Sequence, residues 1–290
     1  MPLVQANGVD IYCEVHGEGH PVLLVMGINA QLIHWPPEMI DRLVAAGFQV
    51  IAFDNRDMGQ STWFDGLQAP SLGSMIAHRV VNRSQQTPYT LSDMAEDGFG
   101  VLTALGIESA HIIGASMGGM IAQQMAILHP DRVRSLTSIM SHTGERRHFL
   151  SDPRALLALM GTTPANAEEA GERVVGLMKV IGSPEDRRPD DHYRWLGATA
   201  YERGSNPEGF KRQLAAIVVS GSRDAQLKHL TVPTAVIHGT VDPLVSPRGG
   251  RHTAAVIPGA ELVLIDGMGH DLPVAKLDTI LAAFRRAAGV

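Results

Sequence analysis

Short apolar runs alternate with amphipathic stretches along most of the chain, and this pattern predicts β-strands that alternate with α-helices. The first predicted strands lie at residues 21–26, 49–53, 110–115 and 133–140. The helices predicted between and after them lie at residues 36–46, 90–105 and 117–129. Near the N-terminus, Asn7-Gly8 separates two strand-like segments and is typical of a tight hairpin turn. The alternation favours an α/β fold with a mostly parallel sheet and helices on both faces.

The pattern changes between about residues 144 and 227, where the chain becomes helical in character and poor in strands. Strand patterns return at Val232. We therefore expect an α/β core built from residues 1–143 and 228–290, with residues 144–227 inserted as a helical cap. The cap would cover the carboxyl ends of the strands, where open α/β sheets bind ligands. Segment 63–88 has the length of a lid or binding loop, and the alternative interpretation is a surface connection without a functional role.

The turn after the predicted strand 110–115 has the sequence Gly114-Ala115-Ser116-Met117-Gly118. A G-x-S-x-G between a strand and a helix is typical of a nucleophile elbow, a strained turn that exposes a serine hydroxyl in a cleft. Ser116 would also lie at a helix N-terminus, where unpaired N–H groups favour developing negative charge. These features predict that Ser116 is a nucleophile.

A serine hydroxyl needs a base to remove its proton, and the base needs a third group to orient it. Asp242 and His270 each follow a strand-like segment downstream of the serine, in the order expected for α/β-hydrolases. Asp266 and Asp271 are weaker candidates for the acid, because a close chain neighbour of the histidine points in a different direction. Asp224 precedes its strand rather than following it. We predict a triad of Ser116, Asp242 and His270.

Together with two further motifs, the predicted triad resembles the α/β-hydrolase superfamily from about residue 20 to about residue 275. The motifs are Met26-Gly27-Ile28-Asn29 and the stretch Asp54-Asn55-Arg56-Asp57-Met58-Gly59-Gln60-Ser61-Thr62. With Gly267-Met268-Gly269-His270, they make the chain similar to bacterial serine ester hydrolases, the group that includes aclacinomycin methylesterase. The resemblance implies the α/β-hydrolase fold with a helical cap, and hydrolysis of esters through an acyl-enzyme.

Attack on an ester carbonyl creates an alkoxide, and two backbone N–H groups are needed near that oxygen. One is expected from Met117, the residue after the nucleophile, and position-matching with the resembling family places the other at Ile28. The chain has Met26-Gly27 where most of the superfamily has His-Gly, so the histidine that usually braces this loop is absent. Asn29 is a candidate for the bracing role, and simple turn formation is the alternative.

Residues of the substrate site are harder to identify from the sequence. We name Asn29, His142, Met160 and Trp195 as candidates, because they follow predicted strands or lie in the cap tract with its many apolar side chains. Packing onto the core explains the cap residues equally well. For His142, and for His34, which also follows a predicted strand, a packing or surface role is the favoured interpretation.

Composition limits the classes of partner. A formal net charge of −6 and a pI near 6.1 argue against nucleic-acid binding. The single cysteine, Cys13, excludes an internal disulfide, and no metal-ligand spacing occurs. The N-terminus lacks the regions of a signal peptide, and no stretch approaches the roughly 18 apolar residues of a membrane span. We expect a cytoplasmic protein with no metal or cofactor and a small-molecule ester as partner, while the oligomeric state stays open.

The leading hypothesis is hydrolysis of a small to medium apolar carboxylic ester, with a methyl ester suggested by the resemblance. Hydrolysis of carbon–carbon bonds, lactone opening and cofactor-free perhydrolysis remain alternatives, because they use the same triad. A different class of function is a ligand sensor with the hydrolase fold, in which the triad binds or slowly modifies a ligand. An intact triad does not exclude the sensor, since fold and function are separable.

Overall fold

The computed structural model describes residues 3–71, 73–75, 77, 86–148 and 152–290. Its strands are β1 (Leu3–Ala6), β2 (Val9–His16), β3 (His20–Val25), β4 (Phe48–Phe53), β5 (Ala110–Ala115), β6 (Val133–Ile139), β7 (Thr234–Gly239) and β8 (Glu261–Ile265). Within the described ranges they form one eight-stranded sheet with the order β1-β2-β4-β3-β5-β6-β7-β8. The non-sequential order means that the connections cross over the faces of the sheet.

The direction of the strands decides where their ends meet. β1 and β2 form the predicted antiparallel hairpin, with Asn7 at φ 50° and Gly8 at φ 79° in the turn. β2 also pairs antiparallel with β4. The pairs from β4 through β3, β5, β6 and β7 to β8 are all parallel. The carboxyl ends of these six strands therefore lie along one edge of the sheet.

Helices cover both faces of this sheet. They are α1 (Pro37–Ala45), α2 (Leu91–Ala104), α3 (Met117–Leu128), α4 (Pro153–Met160), α5 (Ala167–Ile181), α6 (Asp190–Gly204), α7 (Pro207–Ser220), α8 (Asp224–Leu227), α9 (Pro247–Val256) and α10 (Leu277–Ala288). Neighbouring strand residues point to opposite faces. Ile112 packs in an apolar cluster with Ile121 of α3, whereas Ile113 packs in a second cluster with Phe284 of α10. The predicted α/β architecture is confirmed.

The chain between β6 and β7 contains α4 to α8 and no strand within its described residues. We refer to residues 144–227 as the insertion. That these residues form a separate cap domain with these bounds stays a prediction. Residues 149–151 lie outside the described residues, as do residues 72, 76 and 78–85 of the predicted lid segment. In the part of the chain that the structure describes, no helix combines the length and apolar character needed to cross a membrane.

Two ion pairs with buried carboxylates join the insertion to the loop after β4. Arg203 of α6 donates from Nη2 to Asp54 Oδ2 at 2.7 Å. Arg212 of α7 donates from Nε and Nη2 to the two carboxylate oxygens of Asp57, at 2.7 and 2.8 Å. Both carboxylates are fully buried. Because a buried charge without a partner is strongly destabilising, these two contacts, called the core–insertion pairs below, tie the insertion to the sheet.

Candidate active site

Ser116 lies in the sharp turn between β5 and α3, where its backbone has φ 56° and ψ −120°. A positive φ is strained for a residue with a side chain. The turn is also crowded, because a Cβ at Gly114 would lie 2.1 Å from the carbonyl oxygen of Gly118. A Cβ at Gly118 would lie 1.9 Å from the carbonyl oxygen of Val25. The two glycines permit the turn, and Ser116 lines a large cavity.

His270 follows β8 and lies between Ser116 and Asp242. Its Nε2 is 2.9 Å from Ser116 Oγ, and its Nδ1 is 2.7 Å from Asp242 Oδ2. When Nδ1–H donates to the carboxylate, Nε2 presents the lone pair that accepts the serine proton. The structure thus brings the three residues, which are far apart in sequence, into one hydrogen-bonded chain.

Asp242 is buried in the turn after β7. Its Oδ1 accepts the backbone N–H groups of Leu244 and Val245, both at 2.9 Å, which leaves Oδ2 for His270. His238 Nε2 also lies 3.4 Å from Oδ2. Burial alone would raise the pKa of the Asp242 carboxyl, but the imidazoles of His270 and His238 outweigh it, so the pKa lies below its usual range. Asp242 is therefore held as a carboxylate.

The loop after β3 passes close to the serine. A Cβ at Gly27 would lie 3.1 Å from the Cβ of Ser116, which places the adjacent Ile28 beside the elbow. Ile28 lines the cavity. Met117 is the first residue of α3, so its N–H has no acceptor within the helix. The backbone groups predicted to bind an oxyanion therefore lie on the two segments that meet at Ser116.

Two side chains brace this loop, and sequence reasoning missed both. Asn55 Nδ2 donates to the carbonyl oxygen of Met26 at 2.9 Å. Gln213 of α7 accepts the N–H of Asn29 at 3.0 Å through Oε1 and is itself fully buried. The sequence offered no signal for Gln213, because its partner lies 184 positions away. Asn29 has a positive φ of 57°, which is consistent with a turn-forming role.

A cavity of about 1020 Å³ separates the sheet edge from the insertion. Ser116 and His270 lie on its wall, as do three of the predicted substrate-site residues, Asn29, Met160 and Trp195. His142 does not line this cavity. It is buried, and its Nδ1 accepts the N–H of Gly144 at 2.9 Å, in agreement with the packing role favoured above.

His34 lies on the cavity wall, although the sequence favoured a packing or surface role for it. Its Nδ1 lies 3.0 Å from the backbone nitrogen of Gln31. Burial lowers the pKa of the His34 imidazole to about 4. The side chain is therefore neutral at pH 7. The same Nδ1 lies 3.1 Å from the carbonyl oxygen of Gln31, so the tautomer of the ring decides whether it accepts from the Gln31 N–H or donates to the Gln31 carbonyl.

Within the described ranges, no group of three or more His, Cys, Asp or Glu side chains could hold a metal ion. A serine hydroxyl, an imidazole and a carboxylate in hydrogen-bonded sequence are suited to nucleophilic attack on a carbonyl carbon.

A sequence model of a family described as alpha/beta hydrolase fold matches residues 20–276, and the chain belongs to this family. Among curated proteins, it is 30% identical to rhodomycin D methylesterase DauP of Streptomyces sp. (strain C5), over 91% of this chain and 89% of that protein. It is likewise 30% identical to rhodomycin D methylesterase DnrP of Streptomyces peucetius, with the same two coverages. These similarities identify the chain as a hydrolase of the carboxylesterase type.

Solved structures share the architecture. A meta-cleavage product hydrolase from Pseudomonas fluorescens IP01 has a TM-score of 0.74 at 21% identity, with 99% of this chain and 96% of that chain covered. The esterase RhEst1 from Rhodococcus sp. ECU1013 has a TM-score of 0.74 at 21% identity, with 98% of each chain covered. At these identities the similarity shows the fold alone.

Proposed function

We propose that the protein hydrolyses carboxylic esters by two-step acyl transfer, with Ser116 as nucleophile, His270 as general base and acid, and Asp242 as the group that orients His270. The observation that carries the proposal is the hydrogen-bonded chain of these residues beside a large cavity, at distances of 2.9 and 2.7 Å. The similarity to two proteins named methylesterases supports the same reaction class.

In the first step, Ser116 Oγ attacks the ester carbonyl carbon while its proton moves to His270 Nε2. The Asp242 carboxylate stabilises the imidazolium that forms and keeps the ring in the required tautomer. The carbonyl oxygen gains negative charge, and the backbone N–H groups of Ile28 and Met117 stabilise it. Collapse of the tetrahedral intermediate expels the alcohol, which takes the proton from His270.

In the second step, water replaces the alcohol. His270 removes a proton from the water as it attacks the acyl-enzyme, and the same N–H groups stabilise the second oxyanion. Collapse of this intermediate releases the acid and returns the proton to Ser116. The net reaction consumes one water and produces one alcohol and one acid.

The cavity supports an ester whose acid part is bulky and mostly apolar. Pockets for drug-sized ligands have volumes of roughly 300 to 1000 Å³. The cavity of about 1020 Å³ is therefore at the upper end of that range, and leucine and methionine side chains of α4 and α5 contribute to its wall, including Leu159, Met160, Leu177 and Met178. Methionine adapts to irregular apolar shapes. With the two methylesterases as relatives, we propose a methyl ester as the natural substrate.

The test is the hydrolysis of p-nitrophenyl esters of increasing acyl size by the wild type, Ser116→Ala and a control, Ser109→Ala. Ser109 is half-buried and precedes β5, at the opposite end of that strand from Ser116. We expect turnover by the wild type and Ser109→Ala. Ser116→Ala should retain only the roughly 10³- to 10⁴-fold acceleration that the oxyanion hole and binding supply.

The alcohol part is tested with methyl, ethyl and isopropyl esters of one bulky aromatic acid, with release of the acid as the readout. Faster release from the methyl ester supports the proposed leaving group. Serine-dependent activity confined to lactones or to carbon–carbon cleavage of a dienoic keto-acid would replace ester hydrolysis with those reactions. Ligand-induced thermal stabilisation without multiple turnover would identify a sensor instead.

A further inference from the structure

The end of α5 in the insertion is in direct contact with the loop that bears His270. The carbonyl oxygen of Ile181, the last residue of α5, accepts the backbone N–H of His270 at 2.7 Å. A Cβ at Gly269 would lie 2.5 Å from the same oxygen and 2.6 Å from the carbonyl carbon of Gly182. Only glycine fits at position 269, because the insertion packs against the backbone there.

Ser183, two residues after the end of α5, is the centre of this contact. Its hydroxyl donates to Asp271 Oδ1 at 2.5 Å, and its backbone N–H donates to the same oxygen at 3.1 Å. Its Oγ also accepts the N–H of Gly269 at 2.9 Å. Ser183 is fully buried. One side chain of the insertion therefore holds the residues immediately before and after His270.

The contacts of Asp271 also show what this carboxylate does. It lies beside His270 in sequence, yet its Oδ1 is engaged by Ser183, while His270 Nδ1 is paired with Asp242. Burial raises the pKa of the Asp271 carboxyl, and the hydrogen bonds from Ser183 oppose that rise. Asp271 thus serves as the anchor of the His270 loop in the insertion.

The position of His270 is demanding because its ring must reach two partners at once. The Nε2–Oγ distance to Ser116 and the Nδ1–Oδ2 distance to Asp242 are both at hydrogen-bonding length. A small displacement of the loop would lengthen at least one of them. Misplacement by about 1 Å of a reacting group can cost about 10²-fold in rate.

We propose that Ser183 is a positioning residue for His270, so that the insertion is a structural part of the catalytic site as well as a wall of the cavity. The proposal rests on the proposed role of His270 as the base. Ser183 acts through Gly269 and Asp271 and does not touch the reacting atoms.

The experiment measures kcat and KM on p-nitrophenyl butyrate, and separately the rate at which a fluorophosphonate labels the protein. In the labelling reaction Ser116 Oγ forms a bond to phosphorus, fluoride leaves, and the serine proton passes to His270. For Ser183→Ala we expect kcat and the labelling rate to fall about 10- to 100-fold, with KM within about twofold of the wild type. Ser183→Thr, which keeps the hydroxyl, should recover most of both rates.

The matched control is Ser220→Ala. Ser220, at the end of α7, accepts the N–H of Leu91 in α2 at 3.0 Å, so this variant also removes a hydroxyl that joins the insertion to the core. It should label and turn over like the wild type. Asp271→Asn keeps the acceptor oxygen and should retain most of kcat, whereas Asp271→Ala should resemble Ser183→Ala. If Ser183→Ala does not fold, the proposal is tested by comparing kcat and the labelling rate of the two Asp271 variants.

The outcomes separate the two proposals. If the fluorophosphonate labels the wild type, and labels folded Ser183→Ala equally fast, the positioning role is overturned. The proposed function would then be unaffected. Equal losses of kcat in Ser220→Ala and Ser183→Ala would also overturn it, because the effect would then be a general loosening of the insertion. A wild type that the fluorophosphonate does not label at Ser116 would instead contradict the proposed nucleophile.

Discussion

The two walls of the candidate active site are held in place by different kinds of contact. On the sheet side, Ser116, Asp242 and His270 lie in loops after parallel strands, and backbone contacts fix the serine and the aspartate. On the insertion side, charged side chains fix the helices through the core–insertion pairs. The positions of Ser116 and Asp242 thus depend on backbone geometry, whereas the shape of the cavity depends on contacts between distant side chains.

This difference predicts whether a mutation in each wall mainly reduces the catalytic rate or mainly reduces the stability of the protein. A change on the sheet side should reduce the rate of the chemical step with a modest effect on folding. A change in the core–insertion pairs should reduce the free energy of unfolding more than it reduces the rate of the chemical step. Ser183 lies where the two walls meet, which is why its replacement is expected to affect kcat more than KM.

The largest expected effect is that of Asp242→Asn on catalysis. The amide retains the shape of the carboxylate but offers the wrong partner to His270 Nδ1, so kcat should fall about 10⁴-fold while the fold persists. The measurement is kcat on p-nitrophenyl butyrate, with the thermal unfolding midpoint of each variant. Asp266→Asn is the matched control, since Asp266 bonds to Thr240 and not to the triad. A comparable loss in Asp266→Asn would refute the assignment of the acid.

The second prediction concerns the stability of the insertion side. Arg212→Met removes the cation from a pair whose side chains are 2% and 0% exposed, and it leaves Asp57 buried without its main partner. The free energy of unfolding should fall by about 3–5 kcal/mol in urea titrations. Lys211→Met on the same helix breaks only an exposed pair with Glu208 and should cost at most about 1 kcal/mol. Equal costs in the two variants would contradict the role of the buried pair.

The third prediction uses pH to probe the sheet itself. Burial lowers the pKa of His111 on β5 to about 4 from 6.5. Between these values the unfolded state binds more protons, so the free energy of unfolding should decrease as the pH falls from 6.5 to 4. The contribution is up to about 1.4 kcal/mol per pH unit. His111→Asn should show a correspondingly shallower decrease in urea titrations across this range, and an unchanged slope would contradict the assignment.

The smallest effect is expected at the cavity wall. Trp195 lines the cavity but is 55% exposed, so Trp195→Ala should remove only part of the contact with a bulky acyl group. We expect KM for a bulky aromatic ester to rise about fivefold, roughly 1 kcal/mol, with no change for p-nitrophenyl acetate. Leu157→Ala, at an exposed position of α4 outside the cavity wall, is the control. A rise in KM for both esters would indicate damage beyond the pocket.

Much of the core could be predicted because its signals are local. The helix predicted at 90–105 is observed as Leu91–Ala104, and Thr90 caps it by accepting the N–H of Asp93. The strand predicted at 110–115 is observed as Ala110–Ala115. Strand patterning and helix capping depend on residues a few positions apart, so the linear sequence contains the information.

The contacts of the insertion could not be predicted in the same way. Arg203, Arg212 and Gln213 are polar residues on helices, and such residues most often face solvent. Their partners lie 149 to 184 positions earlier in the chain. Residues that line the cavity are also harder to predict than residues in turns. Met160, Trp195 and His34 all line the cavity, but the sequence indicates only the first two as candidates and favours a packing or surface role for His34.

The sequence by itself determined the alternation of strands and helices along the core, the glycine-flanked serine turn, and the residue types that follow β5, β7 and β8. Backbone sterics and hydrophobic periodicity act over short distances, so these features are visible in the linear sequence. The tertiary structure alone decided which insertion side chains reach Asp54, Asp57 and the His270 loop. Those contacts depend on how the helices of the insertion pack over the sheet, and a local sequence pattern does not specify that packing.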